Sequence, residues 1–235
     1  MSGLFLGEFL GTLVLILFGG GVVAGVLLEK SKAKGAGWIV ITAGWAFAVT
    51  FGIFTAAAFG APGALNPVGP LADIVQGKGS VTDNLAMIAG EFLGAFCGAT
   101  LVWLHYLPHW AETPDPGAKL AVFCTGPAIR DPMSNLFGEM LGTFMLVFLA
   151  SAVGQAKIGE LSPAVIGLVV WAIGLSLGAT TGYAINPARD LAPRLAHALL
   201  PIAGKGDSDW GYAWVPVVGP CVGGVLGALA FRALA

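Results

Sequence analysis

The sequence predicts an all-α membrane protein of six transmembrane helices and two re-entrant half-helices, arranged as an inverted internal repeat. Composition gives the first reason, because 57% of its 235 residues are hydrophobic and 10% are charged, whereas soluble domains carry about 25% charged residues. Six runs with at most one charged residue are long enough to cross a bilayer, which takes roughly 20 apolar residues. Motifs of the first half also recur in the second: Gly7-Glu8-x-x-Gly11-Thr12 recurs as Gly138-Glu139-x-x-Gly142-Thr143, Asn66-Pro67-Val68 as Asn186-Pro187-Ala188, and Gly90-x-x-x-Gly94 as Gly219-x-x-x-Gly223.

The spans divide equally between the two copies of these motifs. Because three spans per copy is an odd number, the second copy must enter the membrane from the opposite side. We expect a single channel domain over 1–235, with a first repeat at 1–107, an extracellular connecting loop at 108–133 and a second repeat at 134–235. The first span is expected to stay in the mature protein, since no basic leader precedes it. The predicted spans are 4–28, 38–59, 84–106, 134–156, 162–182 and 212–233.

The two long uncharged runs, 35–72 and 161–188, exceed one crossing, and each contains an Asn-Pro pair near its end. Asn is a favoured N-cap and Pro is favoured at the first helical position. We therefore predict short helices that begin at Pro67 and Pro187, enter from opposite faces and meet at their tips. Irregular backbone at that depth is tolerated only inside protein or against a water-filled cavity. Residues 60–65 and 180–185 are accordingly expected to line a pore.

Two of the carboxylates inside predicted spans, Glu8 and Glu139, stand at matching positions of the repeated Gly-Glu-x-x-Gly-Thr motif. A charge within a membrane is costly and tends to face the bundle interior. We expect both side chains to accept hydrogen bonds from the backbone of the inserted loops and so to support the pore. The glycines beside them are interpreted as helix-packing positions.

The remaining polar residues suggest no chemistry. The connector between the repeats is rich in Pro and Gly and carries several charges, so it is expected to face solvent, near the pore mouth because of its length. A net charge of −2 argues against nucleic acid. No catalytic, metal or cofactor residues are expected. The cysteines, Cys97, Cys124 and Cys221, are interpreted as packing residues, and the histidines, His105, His109 and His197, as solvated loop residues.

Taken together, the paired Gly-Glu-x-x-Gly-Thr spans, the two Asn-Pro motifs and Asn186-Pro187-Ala188-Arg189 resemble the aquaporin or major intrinsic protein family over essentially the whole chain. The resemblance implies the predicted helices, one pore in each subunit and a homotetramer. It also implies that Asn66 and Asn186 are the hydrogen-bond donors at the pore midplane. Proton exclusion would follow from these donors and from the positive ends of the half-helices.

Within that family the chain is similar to the glycerol facilitator, or aquaglyceroporin, branch of bacteria. Asp190 and Arg194 stand where water-selective members usually carry small neutral residues, and Pro216-Val217 resembles the Pro-aliphatic pair of that branch. The resemblance implies a selectivity filter in which two aromatic rings form an apolar corner and an arginine donates to hydroxyl groups. Its residues would be Trp45, Gly174, Tyr183 and Arg189. Alternatives are an interfacial role for Trp45 and simple packing for Tyr183.

Four positions depart from the family pattern. Val68 replaces the usual alanine, which would loosen or shift the contact between the half-helix tips. Ala64 replaces a usual histidine, which would widen the cytoplasmic vestibule or leave space for water, and which removes a possible pH-sensitive group. Trp45 lies one residue further from Asn66 than is typical. Pro70 cannot donate to the Asn66 carbonyl, which is therefore expected to be free to face the pore.

The resulting hypothesis is a passive channel in the cell membrane for glycerol and related small neutral solutes, with some water permeability, proton exclusion and no cofactor. A water-selective channel is the alternative within the fold, and a secondary active transporter is the alternative from another class. The resemblance implies cytoplasmic termini. The loop charges point the other way, because they would set Lys30, Lys32, Lys34, Lys119, Arg130 and Lys205 outside against Lys78, Lys157 and Arg232 inside.

Overall fold

The computed structural model describes residues 3–235, which form helices and connecting loops, with no strand in that range. Six helices are long and apolar enough to cross a membrane, so the predicted fold class is confirmed. In chain order the helices are α1 (Gly3–Leu27), α2 (Trp38–Ala58), α3 (Val68–Val75), α4 (Val81–His105), α5 (His109–Glu112), α6 (Pro116–Phe123), α7 (Pro132–Gln155), α8 (Ser162–Ser176), α9 (Pro187–Leu199) and α10 (Val215–Leu234).

The fifth span is shorter than predicted. Helix α8 ends at Ser176 rather than at 182, and a 3₁₀ turn at Gly178–Thr180 leads into the second inserted loop. The turn is followed by Gly182, whose φ of 84° lies in the left-handed region that favours glycine. The uncharged run at 161–188 therefore contains a short span, a turn and an inserted loop.

The packing of the helices has an approximate two-fold relation between the halves. Helix α1 packs on α2 and α4, α7 packs in the same way on α8 and α10, and α2 meets α8 between the halves. Each half-helix also packs against the last span of the other half, α9 on α4 and α3 on α10. Each half therefore contributes a half-helix to the helix packing of the other half.

Glycines make these contacts close. A Cβ added at Gly98 of α4 would lie 2.7 Å from the Leu13 carbonyl oxygen of α1, and one at Gly227 of α10 would lie 2.6 Å from the Phe144 carbonyl oxygen of α7. Real side chains do not approach that closely, so each site admits only glycine without a shift of backbone. Carbonyl oxygens of the neighbouring span lie at least as close to a Cβ added at Gly90, Gly94 or Gly223, whereas the atom nearest to a Cβ at Gly219 is the Glu139 Cβ, at 2.7 Å.

The alternating spans give the molecule two faces. The α3 face holds both ends of the described chain, the C-terminal end of α3 and the turn from α7 to α8. The α9 face holds the C-terminal end of α9 and the connector between the repeats. The half-helices thus enter from opposite faces, with their N-terminal ends in the middle.

The connector differs from the expected solvent-facing loop. It contains α5 and α6 and buries three large side chains, Trp110, Lys119 and Phe123. The Trp110 indole donates to the Trp103 carbonyl oxygen over 2.9 Å, and the Lys119 ammonium donates to the Ala203 carbonyl oxygen. Because α6 packs on both α1 and α9, the connector closes over the α9 face of the bundle.

Candidate functional site

The two half-helices meet through a reciprocal pair of hydrogen bonds. The Asn66 side-chain amide donates to the Ile185 carbonyl oxygen and the Asn186 amide donates to the Leu65 carbonyl oxygen, both over 2.7 Å. An amide nitrogen carries two N–H groups, so each asparagine retains a second donor. The tips are therefore fixed to each other at the centre of the bundle.

The two helix starts are capped differently. The Asn186 side-chain oxygen accepts from the backbone N–H groups of Ala188 (3.0 Å) and Arg189 (3.1 Å), a regular N-cap. The Asn66 side-chain oxygen accepts from Val68 alone, over 3.1 Å. The prediction that the Asn66 carbonyl is free is wrong, because the Gly69 N–H donates to its oxygen over 3.0 Å. Pro70 has no N–H to donate, so the first turn forms an i→i+3 hydrogen bond instead of an i→i+4 bond.

The loops before the two asparagines have unusual backbone conformations. Leu65 and Ile185, one residue before each asparagine, have φ values of 53° and 44°. Gly63 and Tyr183, three residues before, have φ values of 74° and 38°. For residues other than glycine this region costs about 1–2 kcal/mol each, so other contacts must hold the loops in place.

Buried glutamates supply those contacts. Glu8 accepts from the backbone N–H groups of residues 63, 64 and 65 over 2.8–2.9 Å. Glu139 accepts from the backbone N–H groups of Ala184 (3.0 Å) and Ile185 (2.8 Å) and from the Thr181 hydroxyl (2.7 Å). These are hydrogen bonds of the kind expected from the sequence. A carboxylate that accepts several N–H bonds at once holds a strained loop firmly.

A third glutamate, Glu91 of α4, was missed by the sequence reasoning. Its side chain is fully buried, and one oxygen accepts from the Asn66 backbone N–H over 3.1 Å. The intramembrane charge that singled out Glu8 was an equally good signal here. Glu91 has no counterpart in the second half, where the repeated glycine motif has Pro220 in its place, so the internal repeat does not mark it.

The four predicted filter residues come together near the α9 face. The Arg189 guanidinium carbon lies 4.2 Å from the Trp45 ring centroid, and the guanidinium also donates to the Phe123 carbonyl oxygen over 3.2 Å. Trp45 is 5% exposed and is covered by Arg189, so it is not an interfacial tryptophan. Gly174 lies behind Tyr183, where a Cβ would be 2.9 Å from the ring.

A cavity of about 1340 Å³ connects these parts. It extends from Trp45, Tyr183 and Arg189 past both asparagines to a mouth on the α3 face, where Asp73, Lys78 and Glu160 line it. The loop residues 62–65 and 183–185 form part of its wall, including Ala64, whereas Gly60, Ala61 and residues 180–182 do not. The cavity thus has polar groups along a mostly apolar wall.

Val68 does not disturb the tips. It is fully buried and faces α10, where a Cβ added at Gly224 would collide with its side chain. The expected loosening is therefore wrong: glycine at 224 makes room for the larger residue, and the reciprocal hydrogen bonds remain 2.7 Å long.

The other predicted residues lie outside the cavity wall. Asp190 and Arg194 form a fully buried ion pair of 2.8 Å, and Pro216 and Val217 lie in the first turn of α10. His197 was predicted to be solvated and this is wrong, because it lies on α9, fully buried, with Nδ1 2.8 Å from the Ser208 hydroxyl. Cys124 is buried and the other two cysteines are half-buried. Within residues 3–235 no cluster of metal-ligand side chains occurs.

Comparisons with known proteins agree with this geometry. The Glycerol uptake facilitator protein 3 of Lactiplantibacillus plantarum is 57% identical over 231 residues, which cover 97% of this chain and 95% of that protein. The Glycerol uptake facilitator protein of Streptococcus pneumoniae is 50% identical over 235 residues, 98% of each chain. The crystal structure of the aquaglyceroporin from Plasmodium falciparum superposes with a TM-score of 0.86 at 28% identity, covering 99% of this chain and 96% of that one. Residues 2–231 match the model of the family described as Major intrinsic protein, and the chain therefore belongs to that family.

Proposed function

We propose that this protein is a passive membrane channel for glycerol and related small neutral solutes, with some water permeability and no proton conduction. The names of the two facilitators and of the aquaglyceroporin support the substrate class. The observation that carries the proposal is the filter, in which Arg189 lies against Trp45 and beside Tyr183 at one end of a continuous cavity.

The filter gives a polyol two different walls. The carbon backbone of glycerol can lie against the rings of Trp45 and Tyr183. Removing water from these apolar faces breaks no hydrogen bond and is favourable. Its hydroxyl groups can accept hydrogen bonds from Arg189, and deeper in the pore from the second N–H of Asn66 and Asn186. The solute therefore exchanges water for protein donors in steps rather than all at once.

Charged species meet a barrier at the centre. The N-terminal ends of α3 and α9 meet there, and each carries a partial positive charge. Cations are repelled by that field, and a water molecule that accepts from both asparagines cannot relay a proton. An anion such as lactate would have to lose its hydration in the apolar corner, so only the undissociated acid is expected to pass.

The alternatives predict other features of the cavity. A secondary active transporter would need a titratable or ion-binding group at the midplane. The carboxyl groups nearest the midplane, those of Glu8, Glu91 and Glu139, accept from backbone N–H groups and do not line the cavity. The relatives are channels and facilitators, which are not enzymes.

Stopped-flow light scattering on proteoliposomes tests the function. Vesicles placed in hyperosmotic glycerol should shrink as water leaves and then reswell rapidly as glycerol enters. The reswelling rate should be unchanged when ionophores collapse the proton and sodium gradients. A rate that falls with the gradients would mean a transporter, and shrinkage without rapid reswelling would mean a water-selective channel.

A homotetramer embedded in lipid is proposed as the working assembly. The family resemblance supports it, and so does the uneven burial of the spans within one chain. Only 17% of the apolar stretch of α7 and 22% of that in Gly159–Ser176, which contains α8, is buried, against 56% for α1. Large apolar side chains on α1 and α2, among them Phe18, Phe47, Phe51 and Phe54, are also exposed and would face a neighbouring subunit or lipid.

We also propose that the α3 face is cytoplasmic and that the protein lies in the cell membrane. The basic residues on the α9 face oppose this orientation, but most of them are engaged within the protein. Lys30 pairs with Glu112 over 2.6 Å and Lys34 with Glu29 over 2.7 Å. The Lys205 ammonium donates to three carbonyl groups at the end of α9, each over 2.7 Å. Lys78, Lys157 and Arg232, on the α3 face, form no ion pair within the described residues.

A further inference from the structure

The Arg189 guanidinium is held in two ways. Its face lies over the Trp45 ring at 4.2 Å, and its edge donates from NH1 to the Phe123 carbonyl oxygen over 3.2 Å. Stacking fixes the plane of the group, and the hydrogen bond fixes its rotation within that plane. Because the guanidinium N–H groups form a rigid fork, this one bond sets the direction of all the others. The position of the Phe123 carbonyl therefore matters for the pore.

Two residues after Phe123 lies Thr125, whose polar groups are all hydrogen-bonded. The backbone N–H and the hydroxyl of Thr125 both donate to Asp190 Oδ2 over 2.7 Å, and its carbonyl oxygen accepts from Arg194 NH2 over 2.9 Å. Thr125 is 6% exposed. The end of the connector is thus tied to the residue that directly follows Arg189.

Arg194 extends these ties to a third segment. Its Nε and NH2 groups donate to Asp190 Oδ1 over 2.9 and 2.8 Å, and its NH1 group donates to the carbonyl oxygens of Ser208 and Asp209 over 2.8 and 2.9 Å. Asp190 and Arg194 are both fully buried. A buried charge that loses a partner is strongly destabilised, so this cluster has little freedom to rearrange.

We propose that Thr125 is a positioning residue for solute selection: anchored by Asp190 and Arg194, it fixes the Phe123 carbonyl and thereby directs the Arg189 guanidinium into the pore. The proposal rests on the proposed function, since it takes Arg189 as the group that contacts the solute. It gives a physical role to Asp190 and Arg194, which in the sequence are only markers of the glycerol facilitator branch. It also makes the connector part of the filter.

Three substitutions test this role. Thr125→Val keeps the shape and removes the hydroxyl bond to Asp190, whereas Thr125→Ser keeps the hydroxyl. Thr113→Val is the matched control, because Thr113 is also buried in the connector and its hydroxyl accepts from the Glu29 N–H over 2.9 Å, away from Arg189. Glycerol and water permeabilities are measured on the same proteoliposomes, so that their ratio is independent of the amount of folded protein.

We expect Thr125→Val to lower the ratio of glycerol to water permeability about fivefold, the change that one net hydrogen bond corresponds to. Thr125→Ser and Thr113→Val should keep the wild-type ratio. A wild-type ratio in Thr125→Val, or an equal shift in Thr113→Val or Thr125→Ser, would overturn the proposal. If Thr125→Val does not assemble, Thr125→Ala compared with Thr125→Ser isolates the same oxygen atom. Failure of wild-type vesicles to conduct glycerol would instead refute the proposed function.

Discussion

At the scale of single residues, the filter depends on which atoms of each side chain reach the cavity. The Tyr183 ring lines the cavity, but its hydroxyl is buried with no hydrogen-bond partner within the described chain. The ring packs against Gly174 and Gly178, so the hydroxyl group lies in the wall of the pore. The apolar corner expected from the sequence therefore does not require a tyrosine.

Tyr183→Phe tests this arrangement. Glycerol permeability should stay within about twofold of the wild type, and stability should be unchanged or higher, because the change removes an unpaired buried hydroxyl. Tyr212→Phe is a matched control, since its hydroxyl is also buried and unpaired but lies outside the cavity. Stopped-flow permeability and thermal unfolding in detergent measure both effects. A loss of glycerol flux in Tyr183→Phe alone would mean that the hydroxyl contacts the solute.

The glutamates that support the loops differ in how many acceptors they use. Glu8 uses both carboxyl oxygens, whereas Glu91 uses one. Since glutamine offers a single acceptor oxygen, Glu91→Gln should keep glycerol flux and stability near the wild type. Glu91→Leu should cost about 1–3 kcal/mol by leaving the Asn66 N–H unpaired. Glu8→Gln should be worse than Glu91→Gln, and thermal unfolding that ranks these two variants the other way would contradict the assignment.

At the scale of helices, the half-helices could be predicted because local chemistry largely determines where they begin. Helix α9 begins at Pro187 as predicted, and α3 begins at Val68, one residue later than predicted. An asparagine cap followed by proline gives a helix start in almost any context, and its occurrence twice in matching positions makes coincidence improbable. The buried connector could not be predicted. Trp110 donates to the Trp103 carbonyl at the end of α4, and Lys119 donates to the Ala203 carbonyl, 84 residues away. The local sequence pattern of the connector does not predict either contact.

Val68 is a second example of a contact that the local sequence does not predict. The sequence reveals a larger residue at the tip of α3, but the space for it is made on α10 by Gly224, far away in the chain. In the second half the corresponding positions are Ala188 and Ala95, a pair of alanines. At this contact the first half-helix therefore has a large residue opposite a glycine, whereas the second has two residues of intermediate size.

This pairing predicts a rescue. Gly224→Ala alone should destabilise the protein by about 1–3 kcal/mol through overpacking against Val68. Val68→Ala alone should cost about 1 kcal/mol or more by leaving a void. The double variant recreates the alanine pair of the second half, so its cost should be clearly below the sum of the two. Thermal unfolding of purified protein measures this, and strictly additive losses would show that the two side chains do not share space.

At the scale of the whole molecule, the inverted repeat determines the position of the pore. It also determines the positive electrostatic field at the pore centre, where the N-terminal ends of the two half-helices meet. Each half-helix completes the wall of the opposite half, so neither half forms a pore alone. The repeat was readable from the sequence because its motifs recur in order. The loop charges do not decide the orientation in the membrane, because several basic residues of the α9 face also serve as ion-pair partners and helix caps.

Cysteine labelling tests the orientation. An impermeant reagent on intact cells should label Ser31→Cys, on the α9 face, and should leave Ser162→Cys, on the α3 face, unlabelled. The wild-type chain is the background control, because its three cysteines are buried or half-buried. Labelling of Ser162→Cys alone would reverse the proposed orientation.

The central claim is that glycerol passes between Arg189 and the aromatic corner. The most direct measurement compares the water-driven shrinkage and the glycerol reswelling of proteoliposomes that contain the wild type, Trp45→Ala, or the control Trp214→Ala, which changes an exposed tryptophan outside the cavity. We expect rapid reswelling in the wild type and in Trp214→Ala, and a changed ratio of glycerol to water permeability only in Trp45→Ala. Rapid shrinkage without reswelling in the wild type, or an unchanged ratio in Trp45→Ala, would contradict the claim.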